Sequence, residues 1–367
     1  FKTSIKYTCS MIKIDKTDKI LDYPILYNGY PIINEVHCTI QNVNNVSVNN
    51  FLLLDDYYGR FFTDNILNGY ALYGNTNNMD FYRSGVNIKN KVIDELRVPY
   101  RKIPIYECTD LSEIESLYSQ IQIQNPDYRI LLRGQNKLYT IQRSEKENYL
   151  LFGDKSVKEP SFLPSFLRQD YDELFLQSIW NNTASMLLSK ITPKSQDFND
   201  KLLMFRQSPN FQMFSLAIAQ HYGLPSVGLD LTDDLRVALW FALNTIDISG
   251  DGHANNELVD DDDESIIFIF RCPQNTVFKY HNWNIASISE NSRPELQHAW
   301  FNHVGWGISK NQMALHLVCG FRVSKEWSNC TFSSVSEIFP NRETDYILDF
   351  FLELIDKRMD KDCRVGR

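Results

Sequence analysis

Tyr128-Arg129-Ile130-Leu131-Leu132-Arg133-Gly134-Gln135 is the stretch on which the reading of the fold turns. Residues 128–132 form a short apolar run of the length of a buried strand, and that strand delivers Arg133 beside Gly134. Upstream, Leu111, Ile114, Leu117, Tyr118 and Ile121 recur at helical spacing. Asp110 and Ser112 can both cap this helix, and Ser112 with Glu115 matches a capping box. Asn125-Pro126-Asp127 ends it. A helix therefore leads directly into the strand that carries Arg133.

Downstream the pattern alternates irregularly. Helices are expected over residues 171–188, over 211–222 with Gly223 and Pro225 as the stop, over 235–246, and over 346–359 with a cap near Thr344 or Asp345. Strands are expected over residues 226–231, 266–271 and 315–323. Strands and helices mix without a regular βαβ cadence. The fold class is therefore α+β, a mixed sheet with packed helices. Before it, aromatic and β-branched runs at residues 23–27, 36–40, 51–54 and 70–73 alternate with Asn and Gly, which predicts a β-rich N-terminal region. Leu96 to Pro104 holds two prolines and several charges and reads as a linker. The expected organisation is a β-rich region over 1–105, a central domain over 106–335, and a C-terminal helix within 336–367.

Composition narrows the function classes. A net charge of -9 supplies no global basic field, so duplex DNA is not expected as a partner. There is no run of apolar residues long enough to span a membrane, and the opening residues carry no apolar stretch of signal-peptide type. The seven cysteines lie far apart and make no C-x-x-C pair, which suits free thiols in a reducing, cytoplasmic setting. No metal-binding pattern is present: His298 and His303 miss the zinc spacing, and Asp260-Asp261-Asp262-Asp263-Glu264 lacks the alternation and glycine of a calcium loop. Phosphate-loop, dinucleotide and nucleophile-elbow motifs are also absent.

The candidate site is assembled from polar residues at element ends. Arg133 has a planar fork suited to phosphate or carboxylate, Gly134 lets a ligand approach the backbone, and Gln135 follows them. The same Arg could equally pair with a core carboxylate such as Asp230. His221 ends a helix, where the dipole favours its charged form, and can bind an anion or transfer a proton. It can also simply bond the last helical carbonyls. Tyr222 adjoins it as a contact or as packing. Asp230 lies on a short strand, while Thr232 or Asp233 suits the N-cap of the next helix. Arg168 and Arg293 can add positive charge, and Gln297 can hydrogen-bond an amide or ribose. The catalytic candidates are His221, Asp230 and Gln297. The ligand-binding candidates are Arg133, Gly134, Gln135, Tyr222, Arg168 and Arg293.

Four segments in order carry a resemblance: Leu132-Arg133-Gly134-Gln135; Phe162-Leu163-Pro164-Ser165-Phe166-Leu167-Arg168; Ala219-Gln220-His221-Tyr222-Gly223-Leu224-Pro225, running on through Asp230 and Thr232 to Ala238-Leu239-Trp240-Phe241-Ala242; and Arg293-Pro294 with Gln297, Ala299 and Phe301. Together they resemble the FRG domain family. The family usually reads Thr-Arg-Leu-Leu-Asp-Trp-Thr where this chain has Ser226-Val227-Gly228-Leu229-Asp230-Leu231-Thr232, so its Arg and Trp are replaced here. By fold-level analogy, the Arg-Gly pair is similar to the Arg-Gly of ADP-ribosyltransferase-like proteins, in which the Arg holds NAD phosphates. The resemblance implies a nucleotide-like or other anionic ligand at Arg133 and NAD as a substrate of a glycohydrolase or ADP-ribosyltransferase. Its alternative is a non-catalytic binding or interaction module, docking a protein partner through the N-terminal region in a bacterial stress or phage-defence context. The resemblance names no cofactor.

Overall fold

The computed structural model describes residues 25–27, 30–33, 52–55, 60–62, 86–98, 101–145, 148, 154–165, 173–190, 196–260, 262, 264–279, 291–303 and 311–354. In chain order the strands are β1 (Ile25–Tyr27), β2 (Tyr30–Ile33), β3 (Leu52–Asp55), β4 (Arg60–Phe62), β5 (Val92–Val98) and β6 (Arg101–Tyr106). Helix α1 (Leu111–Gln124) follows, then β7 (Tyr128–Gln135), β8 (Thr140–Ile141) and β9 (Glu159–Pro160). Next come α2 (Glu173–Lys190), α3 (Gln196–Arg206), α4 (Pro209–His221), β10 (Gly228–Thr232) and α5 (Leu235–Leu243). The chain continues through β11 (Asn244–Ile248), β12 (Ala254–Leu258), β13 (Ile266–Pro273), β14 (Val277–Lys279), α6 (Arg293–Leu296), β15 (Ala299–His303) and β16 (Leu317–Arg322). Residues 346–354 are helical and are called α7. The class is α+β, as the pattern predicts.

The chain divides into two compact units, one of residues 1–107, 139–163 and 304–320, the other of 108–138, 164–303 and 321–367. In the first, β1 to β4 pair antiparallel in sequence order. Most of the region expected to be β-rich, including the runs at residues 36–40 and 70–73, lies outside the described residues. The expected linker at Leu96–Pro104 is instead a strand pair, with β5 and β6 antiparallel. Leu96, Val98, Ile103 and Ile105 are all buried. Their alternate spacing is strand periodicity, which the two prolines obscured. Glu159, nearly fully buried, holds Arg143 at 2.5 Å and accepts a bond from Asn311 Nδ2 at 2.9 Å, so this buried charge is both paired and hydrogen-bonded.

The second unit is built on strands in the order β14-β15-β10-β7-β13, each pair antiparallel. Ile266, Ile267, Phe268, Ile269 and Phe270 of β13 are at most 1% exposed, so both faces of that strand are covered. β13 runs the full length of β7, pairing Ile266 with Gln135 through to Pro273 with Tyr128. β7 therefore extends beyond Leu132, and Arg133 sits inside it opposite Phe268. The apolar run ended at Leu132, but ladder pairing with β13 carries the strand onward. On the other side β7 meets β10 only at Leu132–Thr232.

Helix ends follow from local chemistry. Asp110 caps α1 by accepting from Glu113 N, and Glu113 accepts from Thr109 N at 2.9 Å, so the helix start is held by Asp110 and Glu113 rather than by Ser112 and Glu115. α5 is capped by Asp234, which accepts from Arg236 N and Val237 N. It stops at Leu243 and not near Ile246, because Asn244 bonds back to Trp240 O and the chain turns into β11, which pairs with β12. α3 and the β11–β12 hairpin were not expected from the sequence.

Candidate functional site

Strand β10 is the centre of the site. Its Asp230 carbonyl accepts a bond from Arg133 Nη1 at 2.6 Å. β7 and β10 share one paired position, Leu132–Thr232, and the Arg133 guanidinium reaches the Asp230 carbonyl beyond it. The Asp230 side chain is about one third exposed (32%). Gln220 Nε2 donates to its Oδ2 at 3.4 Å, and His221 Nδ1 lies 4.0 Å from its Oδ1. Arg133 from β7 and both α4 residues thus meet Asp230.

The end of α4 fixes Gln220 and His221. Leu224 N bonds to Ala219 O at 2.8 Å and Gly223 N to Gln220 O at 3.1 Å, the paired bonds of a Schellman stop. Gly223 has φ +90, a conformation that costs a residue with a Cβ, so the glycine there has a backbone reason. Gln135 and Gln220 each bury a side-chain oxygen that has no hydrogen-bond partner among the described residues. Such an acceptor costs about 1–3 kcal/mol until a donor reaches it.

Gly134 serves packing. A Cβ there would lie 1.8 Å from Ala238 O and 2.8 Å from Ala242 N, so β7 and the backbone of α5 approach too closely for any side chain. Since successive residues alternate, Arg133 and Gln135 emerge on the face of β7 away from α5. Gly228 on β10 likewise makes room, in its case for the ring of Phe301. Val227 and Leu231, where the family pattern has Arg and Trp, are buried core residues.

The other expected residues lie elsewhere. Gln297 is buried; its Nε2 donates to Ile338 O at 2.8 Å and its carbonyl accepts from Thr232 Oγ1 at 2.9 Å. Tyr222 OH donates to Asp345 Oδ2 at 2.6 Å, and its ring stacks on Phe351. Arg293 donates through its main-chain N to the same carboxylate oxygen and through Nη2 to Gly252 O, with its guanidinium over the Tyr222 and Phe339 rings. Asp345 also caps α7 through Ile347 N and Leu348 N. This buried knot ties α4, α6 and α7 together. Burial first, and the Asp345 charge second, hold the Tyr222 hydroxyl well above its ordinary pKa. Arg168 lies outside the described residues.

A further polar cluster escaped sequence reasoning. Asp233 accepts from Lys279 Nζ at 2.7 Å and Trp300 Nε1 at 2.9 Å, while His298 Nδ1 lies 3.3 Å from its other oxygen. Burial works against the charged form of Asp233, but the Lys279 and Trp300 bonds, with the charges of Lys279 and His298, outweigh it and lower its pKa. His298 has φ 46, a left-handed conformation uncommon for a residue with a side chain. No sequence spacing announces this cluster, because its members come from the β10–α5 turn, β14, the α6–β15 turn and β15. Gln220 was legible within the quoted motif, but was passed over beside His221. Among the described residues, no group of His, Cys, Asp and Glu could hold a metal ion. No helix among them is long and apolar enough to cross a membrane.

No curated protein and no solved structure matches this chain. The family model of the FRG domain matches residues 133–249, a span that opens on Arg133 and takes in α4, β10 and α5 with the whole Asp230 constellation. The chain carries an FRG domain.

Proposed function

We propose that the FRG domain binds a nucleotide or a related anionic ligand where β7 and β10 part, with Arg133 toward the phosphates and Asp230 toward the sugar or base. The supporting observation is the meeting of Arg133, Gln220 and His221 at one partly exposed aspartate. These groups reach Asp230 from two elements, β7 and α4, and their polarity is mixed, as a ligand with phosphate and hydroxyl groups requires. Gly134, Tyr222, Arg293 and Gln297 support this site through packing and buried bonds. Cys272, a buried thiol that forms no disulfide, suits a reducing, cytoplasmic setting.

The same carboxylate suits cleavage of the nicotinamide–ribose bond of NAD, because an oxocarbenium-like transition state is stabilised by a nearby negative charge. Asp230 is the group for that role, with His221 beside it. The test is calorimetric titration of nucleotides and NAD, followed by an assay of nicotinamide release. Binding that Arg133→Ala weakens by about tenfold or more supports the site, at the strength of a charge-assisted contact. Nicotinamide release lost in Asp230→Asn supports the enzymatic reading. Binding without release leaves a nucleotide-sensing module. Equal binding by Arg133→Ala removes Arg133 from the site.

A further inference from the structure

Arg133 and Gln135 stand two residues apart on β7, so they emerge on the same face of it with Cβ atoms about 7 Å apart. On that face β13 sets Phe268 opposite Arg133 and Ile266 opposite Gln135, both buried and neither able to hydrogen-bond through its side chain. Gln135 is itself only 9% exposed. Its Oε1 is buried with no hydrogen-bond partner among the described residues. Its Nε2 makes no hydrogen bond to them either, yet is not enclosed, so the carboxamide meets open space on its nitrogen edge. A buried carboxamide left unpaired at both atoms costs stability in the unliganded chain and strengthens the binding of a ligand that satisfies it. Phosphate and carboxylate only accept, and would leave Oε1 unsatisfied. A hydroxyl meets one atom of the carboxamide at a time. A planar edge with an N–H beside an acceptor meets both at once, as the edge of adenine or a second carboxamide does.

We propose that Gln135 is the specificity-determining residue of the site, reading through both atoms of its carboxamide the N–H and adjacent acceptor of a planar ring substituent, either a primary carboxamide or an aminopurine edge, on a nucleotide whose phosphates lie toward Arg133. This inference rests on the nucleotide reading above and adds the residue that selects the ring. The ligand N–H donates to Gln135 Oε1. Gln135 Nε2 donates to the neighbouring oxygen or ring nitrogen of the ligand. A ring that lacks the N–H leaves Oε1 buried and unpaired in the complex, as it is in the unliganded chain.

The experiment is calorimetric titration of the full chain, wild type and Gln135→Leu, with two pairs of ligands matched in charge. One pair is nicotinamide mononucleotide and the methyl ester of nicotinic acid mononucleotide. The other is ADP and the 5′-diphosphate of unsubstituted purine riboside. The second member of each pair lacks the N–H. The wild type should bind the first member of one pair about tenfold or more tightly than the second, as for a buried acceptor left unpaired, and the pair that shows this names the ring. In Gln135→Leu that ratio should shrink toward one. Without ligand, Gln135→Leu should unfold at a temperature no lower than the wild type, because leucine removes an unsatisfied acceptor. A lower unfolding temperature overturns the inference, since the carboxamide is then already satisfied in the unliganded chain. Equal affinities within both pairs overturn it and leave the nucleotide reading standing. A ratio undiminished in Gln135→Leu also overturns it, because the N–H is then read elsewhere. Failure of all four ligands, and of GDP, UDP and CDP, to bind removes the nucleotide reading itself, and the two failures are thereby distinguished.

Discussion

Replacing Gly134 by alanine should destabilise the domain by about 2 kcal/mol or more, through overpacking of β7 against α5. The added Cβ would stand 1.8 Å from Ala238 O, and real Cβ contacts do not come closer than 3.0 Å, so strand and helix must part by more than an ångström. The atoms it would meet are backbone, so no side chain can swing away. A separation of ~0.5–1 Å already forfeits a quarter to a half of a dispersion contact. Here it would be imposed on a helix whose Val237, Ala238, Trp240, Ala242 and Leu243 are all buried. An opposing term exists: alanine restricts the unfolded chain and recovers ~0.5–1 kcal/mol in a strand. Overpacking prevails because the clash is with main chain on both sides. Denaturant unfolding followed by circular dichroism measures the change through the midpoint, with an unchanged slope marking a change in stability alone. A Gly134→Ala protein as stable as the wild type, but defective in ligand binding, would refute the packing argument and restore the glycine to ligand approach.

Tyr222→Phe should cost about 1–2 kcal/mol at neutral pH, from the bond lost by the buried Asp345 carboxylate. Because folding raises the Tyr222 pKa above its ordinary 10.0, the stability it contributes is fully present below that value and declines as pH rises beyond it. Denaturation midpoints taken across the alkaline range should therefore fall less steeply for Tyr222→Phe than for the wild type. Asp233 has the opposite sign. Its pKa lies below the ordinary 3.8, so its contribution is present above that value and is lost as pH falls through the folded pKa. The advantage of the wild type over Asp233→Asn in thermal unfolding should narrow progressively in acid, and a constant difference would show that Asp233 is not stabilised by its Lys279 and His298 charges.

Periodicity sufficed where an element buries one continuous pattern. Ile114, Leu117, Tyr118 and Ile121 marked α1, and the Gly223–Pro225 stop marked the end of α4, because these signals are local. Local chemistry failed where a partner strand or another helix decides the outcome. Leu96–Pro104 read as a linker because proline punctuation masked an alternation that only the β5–β6 pairing makes visible. Asn244 to Ile246 read as the end of a helix, but pairing with β12 makes them part of a strand. In the site, the residues alone placed Arg133, Gln220, His221 and Asp230 within motifs of the FRG pattern, with Gln220 and His221 at the end of α4, whereas Arg133 lies inside β7 and Asp230 in the middle of β10. The tertiary structure alone decided that these four meet, while Gln297, Tyr222 and Arg293 face a buried knot around Ile338 and Asp345. It decided likewise that Gly134 lies beneath α5. The physical reason is that side-chain direction depends on register and on what packs across the sheet, and neither is written in the residues nearby.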